Sequence, residues 1–316
     1  MTLLKLRVAS VHAEARDVMR LELADPRGAL LPAFEPGAHL TLHLPNGVQR
    51  QYSLAGDSRE RNRYVLGVGR AADSRGGSEY VHAMLRAGAE VTCSAPANNF
   101  ALVPDAARYL FVAGGIGVTP ILSMVRWCEA NGKPWKLAYA ARSRVRMGFY
   151  EELRAYGSRV RIHCDDEQGG PLPVAALMAD VEPGTHVYCC GPAPLMEAVR
   201  EHGAHLAPET LHFEWFSAPA ANEPEAAAEG FWVDLKRSGA SLHVSPQQSI
   251  LEVLEANGHE VPFSCREGLC GTCETAVCEG EPDHRDYVYP PAQRASLRTM
   301  LVCVSRAKSA RLVLDL

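Results

Sequence analysis

The 316-residue sequence contains no run of 18 apolar residues, so we expect no membrane-spanning helix. The N-terminal stretch lacks the apolar core of a secretory signal peptide. Ten cysteines without such a signal favour a reducing compartment, and we predict a cytoplasmic protein. No segment is strongly basic and the net charge is −5, so nucleic acid is not an expected partner.

Internal repeats are also absent, and only one segment has a biased composition. Residues 217–229 are rich in Ala, Pro and Glu and lack a core-forming pattern, which is typical of an interdomain linker. The chain length predicts two or three domains. We place them at residues 1–103, 104–216 and 230–316.

The cysteines are concentrated near the C-terminal end. Cys265, Cys270 and Cys273 have the spacing C-x4-C-x2-C, and Cys303 follows 30 residues later. Four thiolates in this order can ligate a 2Fe–2S cluster of the plant ferredoxin type. Structural zinc remains the alternative, but zinc sites usually use paired C-x2-C steps and this stretch has one. Cys278 lies on a predicted strand and is interpreted as structural.

Residues 1–103 show short alternating runs separated by Pro, Gly and Asn turns, which predicts a small antiparallel β-barrel with one helix at 78–85. On one predicted strand, alternation puts Arg50, Tyr52 and Leu54 on one face and Ser53 on the other. An aromatic face for a planar ring and a cation for phosphate or carbonyl oxygens are what a flavin requires.

A second motif in the same region consists of Arg75, Gly76, Gly77 and Ser78 at the start of the predicted helix. A helix N-terminus presents free N–H groups, glycines permit close approach, and the arginine adds charge, so this turn is a candidate phosphate site. Either motif alone is equally compatible with an ordinary strand or loop. Together, about 25 residues apart, they indicate a flavin site.

Residues 104–216 alternate strand and helix signals, which predicts a doubly wound parallel sheet. Gly115, Gly117 and Thr119 lie where a strand gives way to a helix, the usual position for a pyrophosphate. Pro120 stands where the G-x-G-x-x-G fingerprint needs its third glycine, so an ordinary Rossmann dehydrogenase is disfavoured.

Cys190, Gly191 and Pro192 follow the last clear strand of this domain, at the end where open α/β sheets bind ligands. Cys189 is interpreted as a buried structural residue. After the second strand, Arg142 and Arg144 replace the carboxylate that is typical of NAD binding, so the charges permit NADPH.

Residues 230–316 combine a predicted hairpin, a helix capped by Ser249 and the cysteine loop, which matches an α+β β-grasp module. The order of the three modules and their motifs resembles the phthalate dioxygenase reductase family, including vanillate demethylase reductases. This family combines the ferredoxin–NADP reductase superfamily fold with a C-terminal plant-type 2Fe–2S domain. The resemblance covers the whole chain.

The resemblance implies NADH, FMN and a 2Fe–2S cluster as cofactors. FMN is preferred over FAD because Arg75 and the Gly-Gly-Ser turn suit a terminal phosphate and no aromatic loop is evident for an adenine. The resemblance implies the following cofactor-binding residues: Arg50, Tyr52, Ser53, Leu54, Arg75, Gly76, Gly77, Ser78, Gly115, Gly117, Thr119, Arg142, Cys190, Gly191, Pro192 and Phe216. Ser53, Thr119 and Cys190 are the candidate catalytic residues among them, and Phe216 is the aromatic that closes the domain against the flavin.

The implied activity is that of a reductase component, which passes electrons from NADH through FMN and the cluster to a terminal oxygenase. The resemblance implies a Rieske non-haem iron partner in an aromatic-ring dioxygenase or O-demethylase system. The alternatives are a stand-alone NAD(P)H flavin or ferric reductase and a non-catalytic electron-transfer module. No residue indicates the substrate of the oxygenase or the oligomeric state.

Overall fold

The computed structural model describes residues 3–71, 74, 76–217, 229–263, 265–289 and 291–316, without the side chains at 291 and 292. The chain forms two compact units, Met1–Phe216 and Ser217–Leu316, and each is described by itself. No helix in the described part of the chain is long and apolar enough to cross a membrane.

The first part of the N-terminal unit is an antiparallel barrel. Its six strands are β1 (Leu3–Ala15), β2 (Val18–Ala24), β3 (His39–His43), β4 (Gln49–Ser53), β5 (Tyr64–Gly69) and β6 (Glu90–Ser94), and helix α1 (Gly77–Met84) precedes β6. They pair in the order β4-β3-β6-β1-β2-β5, and a bridge between Leu54 and Leu66 connects the two ends of the sheet. Leucines such as Leu21, Leu40 and Leu42 fill the interior.

Strand β1 is longer than its alternation pattern suggests. Its first half pairs with β6, from Leu3 to Arg7, and its second half pairs with β2. The pairing register with β2 shifts between Val8 and Ser10, which interrupts the alternation of apolar residues. From sequence alone, such an interruption looks like the end of a strand.

The rest of this unit is a parallel sheet covered by helices on both faces. Its strands are β7 (Arg108–Gly114), β8 (Trp135–Ala141), β9 (Val160–Cys164), β10 (Thr185–Cys190) and β11 (Leu211–Glu214). Its helices are α2 (Val118–Ala130), α3 (Tyr150–Arg154), α4 (Asp165–Gln168), α5 (Val174–Ala179) and α6 (Ala193–His202). Alternate residues of β7 belong to different cores: Phe111 packs with α2 and α3, and Val112 packs with α5 and α6.

The strand order β11-β10-β7-β8-β9 contains a topological switch point between β7 and β10. The chain leaves these two neighbouring strands in opposite directions, and a crevice forms outside their carboxyl ends. Both glycine motifs of this domain, after Gly114 and after Cys190, therefore lie at this crevice.

The C-terminal unit is an α+β module. Its elements are β12 (Phe231–Leu235), β13 (Ser241–Val244), α7 (Ile250–Ala256), β14 (Glu274–Glu279), β15 (Pro282–Asp283), α8 (Pro291–Arg294), β16 (Thr299–Leu301), β17 (Arg306–Ala307) and β18 (Arg311–Leu314). The main sheet has the order β13-β12-β18-β14-β16, and a two-stranded sheet pairs β15 with β17. Ser249 caps α7, as predicted, and the structure shows that Glu252 completes a capping box with it.

The predicted fold class, a barrel, a doubly wound sheet and a β-grasp module, is confirmed. The finer boundaries remain predictions. The boundary at 103/104 falls between β6 and β7. Most of the predicted linker, residues 218–228, lies outside the described residues.

Candidate functional site

Strand β4 presents the first flavin motif. It pairs with β3 so that Tyr52 lies opposite Leu40 and Arg50 lies opposite Leu42. Tyr52 is half-buried, and burial raises its pKa to about 12 although nearby Arg50 opposes the shift, so the phenol is neutral. The side chain of Leu54 is fully buried in the barrel core.

The two barrel motifs lie in contact, as the flavin interpretation requires. A Cβ atom on Gly77 would lie 2.5 Å from Cγ of Arg50, so this glycine lets the arginine cross the start of α1. Gly76 caps that helix with φ +80, a conformation that favours glycine. The Arg50 cation thus lies beside a helix N-terminus, and together they suit an anionic group. Arg75 lies outside the described residues.

Ser78 lies in the first turn of α1 and does not cap it. Its hydroxyl oxygen accepts a hydrogen bond from the Ala71 N–H (3.2 Å) and lies 3.2 Å from Oγ of Ser74. Ser74 Oγ also accepts from the N–H of Glu79. Ser74 is therefore a further hydroxyl at this helix start, which the sequence analysis did not single out.

At the switch point, the two nucleotide motifs pack backbone against backbone. A Cβ atom on Gly117 would lie 2.2 Å from the carbonyl oxygen of Cys190. A Cβ atom on Gly114 would lie 2.5 Å from Cδ of Pro192, and one on Gly191 would lie 2.9 Å from the backbone of Gly114. These glycines permit a contact that no larger residue fits, and the contact brings the predicted pyrophosphate loop to the Cys-Gly-Pro turn.

Thr119 connects this loop to the barrel. Its hydroxyl donates to the carbonyl of Ile116 (2.9 Å), and its methyl group would lie 2.6 Å from a Cβ atom on Gly67 of β5. The side chain is 1% exposed. Thr119 therefore lies at the seam between the barrel and the parallel sheet.

The two adjacent cysteines of β10 face opposite sides of the sheet. Cys189 packs in the core under α5 and α6, which supports its interpretation as structural. Cys190 belongs to the core on the α2 side. Burial raises the pKa of the Cys190 thiol well above its usual value, and the nearby Glu214 carboxylate adds to the shift, so the thiol is neutral.

Glu214 is a site residue that the sequence analysis did not identify. It ends β11 directly beside Cys190, and Ser53 Oγ of the barrel lies 3.4 Å from its Oε2. Burial raises the pKa of Glu214 to about 8, although the Ser53 hydrogen bond opposes the shift. The usable signal was the position of a carboxylate at the carboxyl end of a strand next to Cys190.

The raised pKa of Glu214 predicts a stability change with pH. Between pH 4.5 and about 8 the unfolded chain loses this proton while the folded chain keeps it, so stability falls as pH rises. One pKa unit corresponds to about 1.4 kcal/mol, so the effect amounts to a few kcal/mol. We expect Glu214→Gln to remove most of the decline in urea unfolding midpoint between pH 5 and pH 8.5. The exposed Glu209→Gln variant is the control, and a Glu214→Gln variant with the wild-type slope would contradict the prediction.

The arginines after β8 have different surroundings. Arg144 is bound to Glu167 (2.6 and 2.9 Å) and to the Tyr150 hydroxyl. Arg142 is exposed, and its carbonyl accepts from the Asp166 N–H. Of the two arginines considered for binding a 2′-phosphate, Arg144 is thus already neutralised by a carboxylate.

Phe216 lies at the end of this unit, and its side chain is 43% exposed.

In the C-terminal unit, the four predicted ligand cysteines form two pairs. Cys265 is within hydrogen-bond reach of Cys270, and Cys273 is within reach of Cys303. Within each pair, one thiol donates to the other, which lowers the pKa of Cys270 and of Cys273. Two sulfurs for each of two irons is the ligand set of a 2Fe–2S cluster, so these residues fit that group.

Backbone amides are directed at one of these sulfurs. The N–H groups of Glu267 and Leu269 donate to Sγ of Cys265 at 3.3 and 3.4 Å. Such donors stabilise thiolates. By contrast, Cys278 is exposed on β14, which agrees with its interpretation as a residue outside the ligand set.

Comparison with known proteins identifies two of the modules. Residues 233–308 match the 2Fe-2S iron-sulfur cluster binding domain, and residues 111–201 match the oxidoreductase NAD-binding domain. The chain is 45% identical to phenoxybenzoate dioxygenase subunit beta of Ectopseudomonas oleovorans, over 98% of this chain and 97% of that protein. It is also 45% identical to phthalate dioxygenase reductase of Burkholderia cepacia, over 99% and 97%. A solved structure of phthalate dioxygenase reductase, described as a modular structure for electron transfer from pyridine nucleotides to 2Fe-2S, matches with a TM-score of 0.74 and 44% identity, over 99% of this chain and 98% of that one.

Fold and site together define an NADH-dependent flavin and iron–sulfur oxidoreductase. The chain belongs to the phthalate dioxygenase reductase family. It is the reductase component of an oxygenase system, with an oxygenase as its electron-accepting partner, and its cofactors are NADH, a 2Fe–2S cluster and FMN, the flavin that the family implies.

Proposed function

We propose that the barrel binds FMN through two groups of residues. Arg50, Tyr52 and Ser53 lie along the isoalloxazine ring, and the turn from 75 to 78 holds the phosphate. Leu54 contributes its backbone only, because its side chain is buried in the barrel core. The contact between Gly77 and Arg50 supports this assignment, because it joins the ring-binding strand to the phosphate turn. The neutral phenol of Tyr52 provides an apolar, uncharged face for the ring.

NADH binds across the switch point in this proposal. Gly115, Gly117 and Thr119 bind the pyrophosphate and the ribose next to the nicotinamide, and Cys190, Gly191 and Pro192 line the other side. The close contact between Gly117 and Cys190 is the observation that carries the proposal, because it places the two motifs on opposite sides of the same crevice. Arg142 is exposed just after β8, the strand that pairs with β7, and would bind the adenosine half.

The protein positions these groups and controls one proton. When bound, FMN takes a hydride from NADH and gives electrons singly, and the cluster carries one electron at a time. Glu214 holds a proton on its carboxyl group at neutral pH, within reach of the Ser53 hydroxyl. Thr119 and the neutral thiol of Cys190 position the nicotinamide without adding charge. Phe216, whose side chain is exposed, would close this domain against the flavin.

Cys265, Cys270, Cys273 and Cys303 ligate the cluster, which delivers electrons to an oxygenase of the Rieske non-haem iron type. We assign that oxygenase to an aromatic-ring dioxygenase or O-demethylase system, and relatives named as components of phenoxybenzoate and phthalate dioxygenases support this. None of the ten cysteines, all of them described residues, forms a disulfide, which suits the proposed cytoplasmic location.

Anaerobic titration of the purified holoprotein tests the function. NADH supplies two electrons, whereas the flavin accepts two and the cluster one, so about 1.5 equivalents of NADH are expected to bleach both groups completely. NADH is expected to act at lower concentration than NADPH. Flavin released by acid should be FMN. Turnover with candidate Rieske oxygenases then identifies the partner. A protein whose flavin is reduced while its cluster stays oxidised would favour a stand-alone flavin reductase.

A further inference from the structure

The loop that carries three of the proposed cluster ligands is covered by residues 284–289, which we call the strap. The N–H of Tyr287 in the strap donates to the carbonyl of Gly268 at 2.9 Å. Asp286 is 1% exposed, and its Cα would lie 3.1 Å from a Cβ atom on Gly268. The strap therefore lies directly on the middle of the ligand loop.

Hydrogen bonds inside the strap fix its shape. Oδ1 of Asp286 accepts from the N–H groups of Val288 (3.1 Å) and Tyr289 (2.9 Å). The Tyr289 hydroxyl then donates to Oε1 of Glu274 on β14 (2.5 Å), which attaches one end of the strap to the sheet.

Arg294, at the end of α8, also binds the strap. Its guanidinium donates to three strap carbonyls: Nε to Tyr289 (3.0 Å), Nη1 to His284 (3.3 Å) and Nη2 to Asp286. Only arginine carries several donors in a rigid planar fork, so lysine preserves the charge but not the three bonds.

The geometry points to Arg294 as a positioning residue for the cluster. Gly268 has φ +69, and its carbonyl is held by the strap. The N–H groups on either side of it, those of Glu267 and Leu269, donate to Sγ of Cys265 at 3.3 and 3.4 Å. Arg294 thus fixes the strap, the strap fixes Gly268, and Gly268 keeps the two neighbouring amides directed at a ligand sulfur. Hydrogen bonds to ligand sulfurs help to set the reduction potential of such clusters. This inference rests on the proposed ligand assignment.

The test compares Arg294→Lys and Arg294→Met with the wild type as full-length holoproteins. The iron content per chain, the midpoint potential of the cluster from an EPR-monitored titration and the rate of iron loss to a chelator are measured. We expect both variants to bind iron and to show about tenfold less reduced cluster at a fixed potential, which is a shift of 59 mV to more negative values for a one-electron couple. Iron loss should be faster in both.

Arg298→Met is the matched control, because it removes the same charge from an exposed position nearby and should leave the potential unchanged. Wild-type potentials in both Arg294 variants would overturn the inference. A shift in Arg294→Met alone, with the potential of Arg294→Lys unchanged, would also overturn it, because a positive charge without the three hydrogen bonds would then maintain the potential. If Arg294→Met takes up no iron, the potential of Arg294→Lys alone tests the inference. A wild-type protein without iron would instead overturn the ligand assignment itself.

Discussion

Replacing Cys303 with alanine is expected to abolish the iron–sulfur chromophore while flavin reduction by NADH continues. Cys303 is paired with Cys273, so the substitution removes one of the two sulfurs proposed for one iron. The proposed flavin and nicotinamide residues belong to the other compact unit, Met1–Phe216, so their local geometry does not depend on this thiol. Electron delivery to the oxygenase should fall to the level of cluster-free protein.

The experiment measures iron and acid-labile sulfide per chain, the visible and EPR spectra, and flavin bleaching in a stopped-flow instrument. Cys278→Ala is the control, because this thiol is exposed on β14 and should tolerate the change. A Cys303→Ala protein with a full cluster, or a Cys278→Ala protein without one, would contradict the proposed ligand set. Loss of NADH-dependent flavin bleaching in Cys303→Ala would contradict the proposal that flavin reduction takes place in the N-terminal unit independently of the cluster.

Substituting Gly117 with alanine is expected to slow flavin reduction by about 100-fold, because displacement of bound groups by about 1 Å has effects of this size. The new Cβ would lie 2.2 Å from the Cys190 carbonyl oxygen and 2.8 Å from the Gly191 nitrogen. Both atoms belong to backbone, which cannot rotate away, so the two walls of the crevice must separate. The backbone of Gly117 (φ −60) accepts alanine without strain, so the effect comes from this contact. Overpacking of this kind also costs about 1–3 kcal/mol of stability.

Stopped-flow reduction of the flavin by NADH measures the effect, with the unfolding midpoint recorded in parallel. Gly170→Ala is the matched control: this glycine lies in the same domain, and its added Cβ would meet no atom within 4 Å. Gly170→Ala should reduce at the wild-type rate. A Gly117→Ala variant that is folded and equally fast would show that hydride transfer does not depend on this contact.

Much of the fold was predictable because its signals are local. The C-x4-C-x2-C spacing, the glycine turns and the alternation of apolar residues each depend on neighbours in the sequence. They predicted the barrel, the doubly wound sheet and the β-grasp module. The capping box at Ser249 is a similar case, since its two partners are three residues apart. The irregularity in β1 was missed because it is a register shift against β2, and which strand pairs with β1 is not encoded in its own residues.

The composition of the site was less accessible from sequence. Glu214 was overlooked because its importance comes from burial beside Ser53, a residue 161 positions earlier. Likewise, Gly67 has no local signal, yet its missing side chain makes room for Thr119 at the seam. Residues of this kind are defined by contacts across the fold, which no spacing rule encodes.

The sequence by itself indicated the iron–sulfur cluster, since thiol spacing specifies what a short loop can bind, and its family resemblance implied NADH and FMN. Tertiary structure alone decided which of these groups meet: Gly117 against Cys190, Gly77 against Arg50, and Arg294 on the strap. The reason is physical, because a local motif fixes the conformation of its own few residues, whereas the distance between two motifs depends on how the whole chain packs.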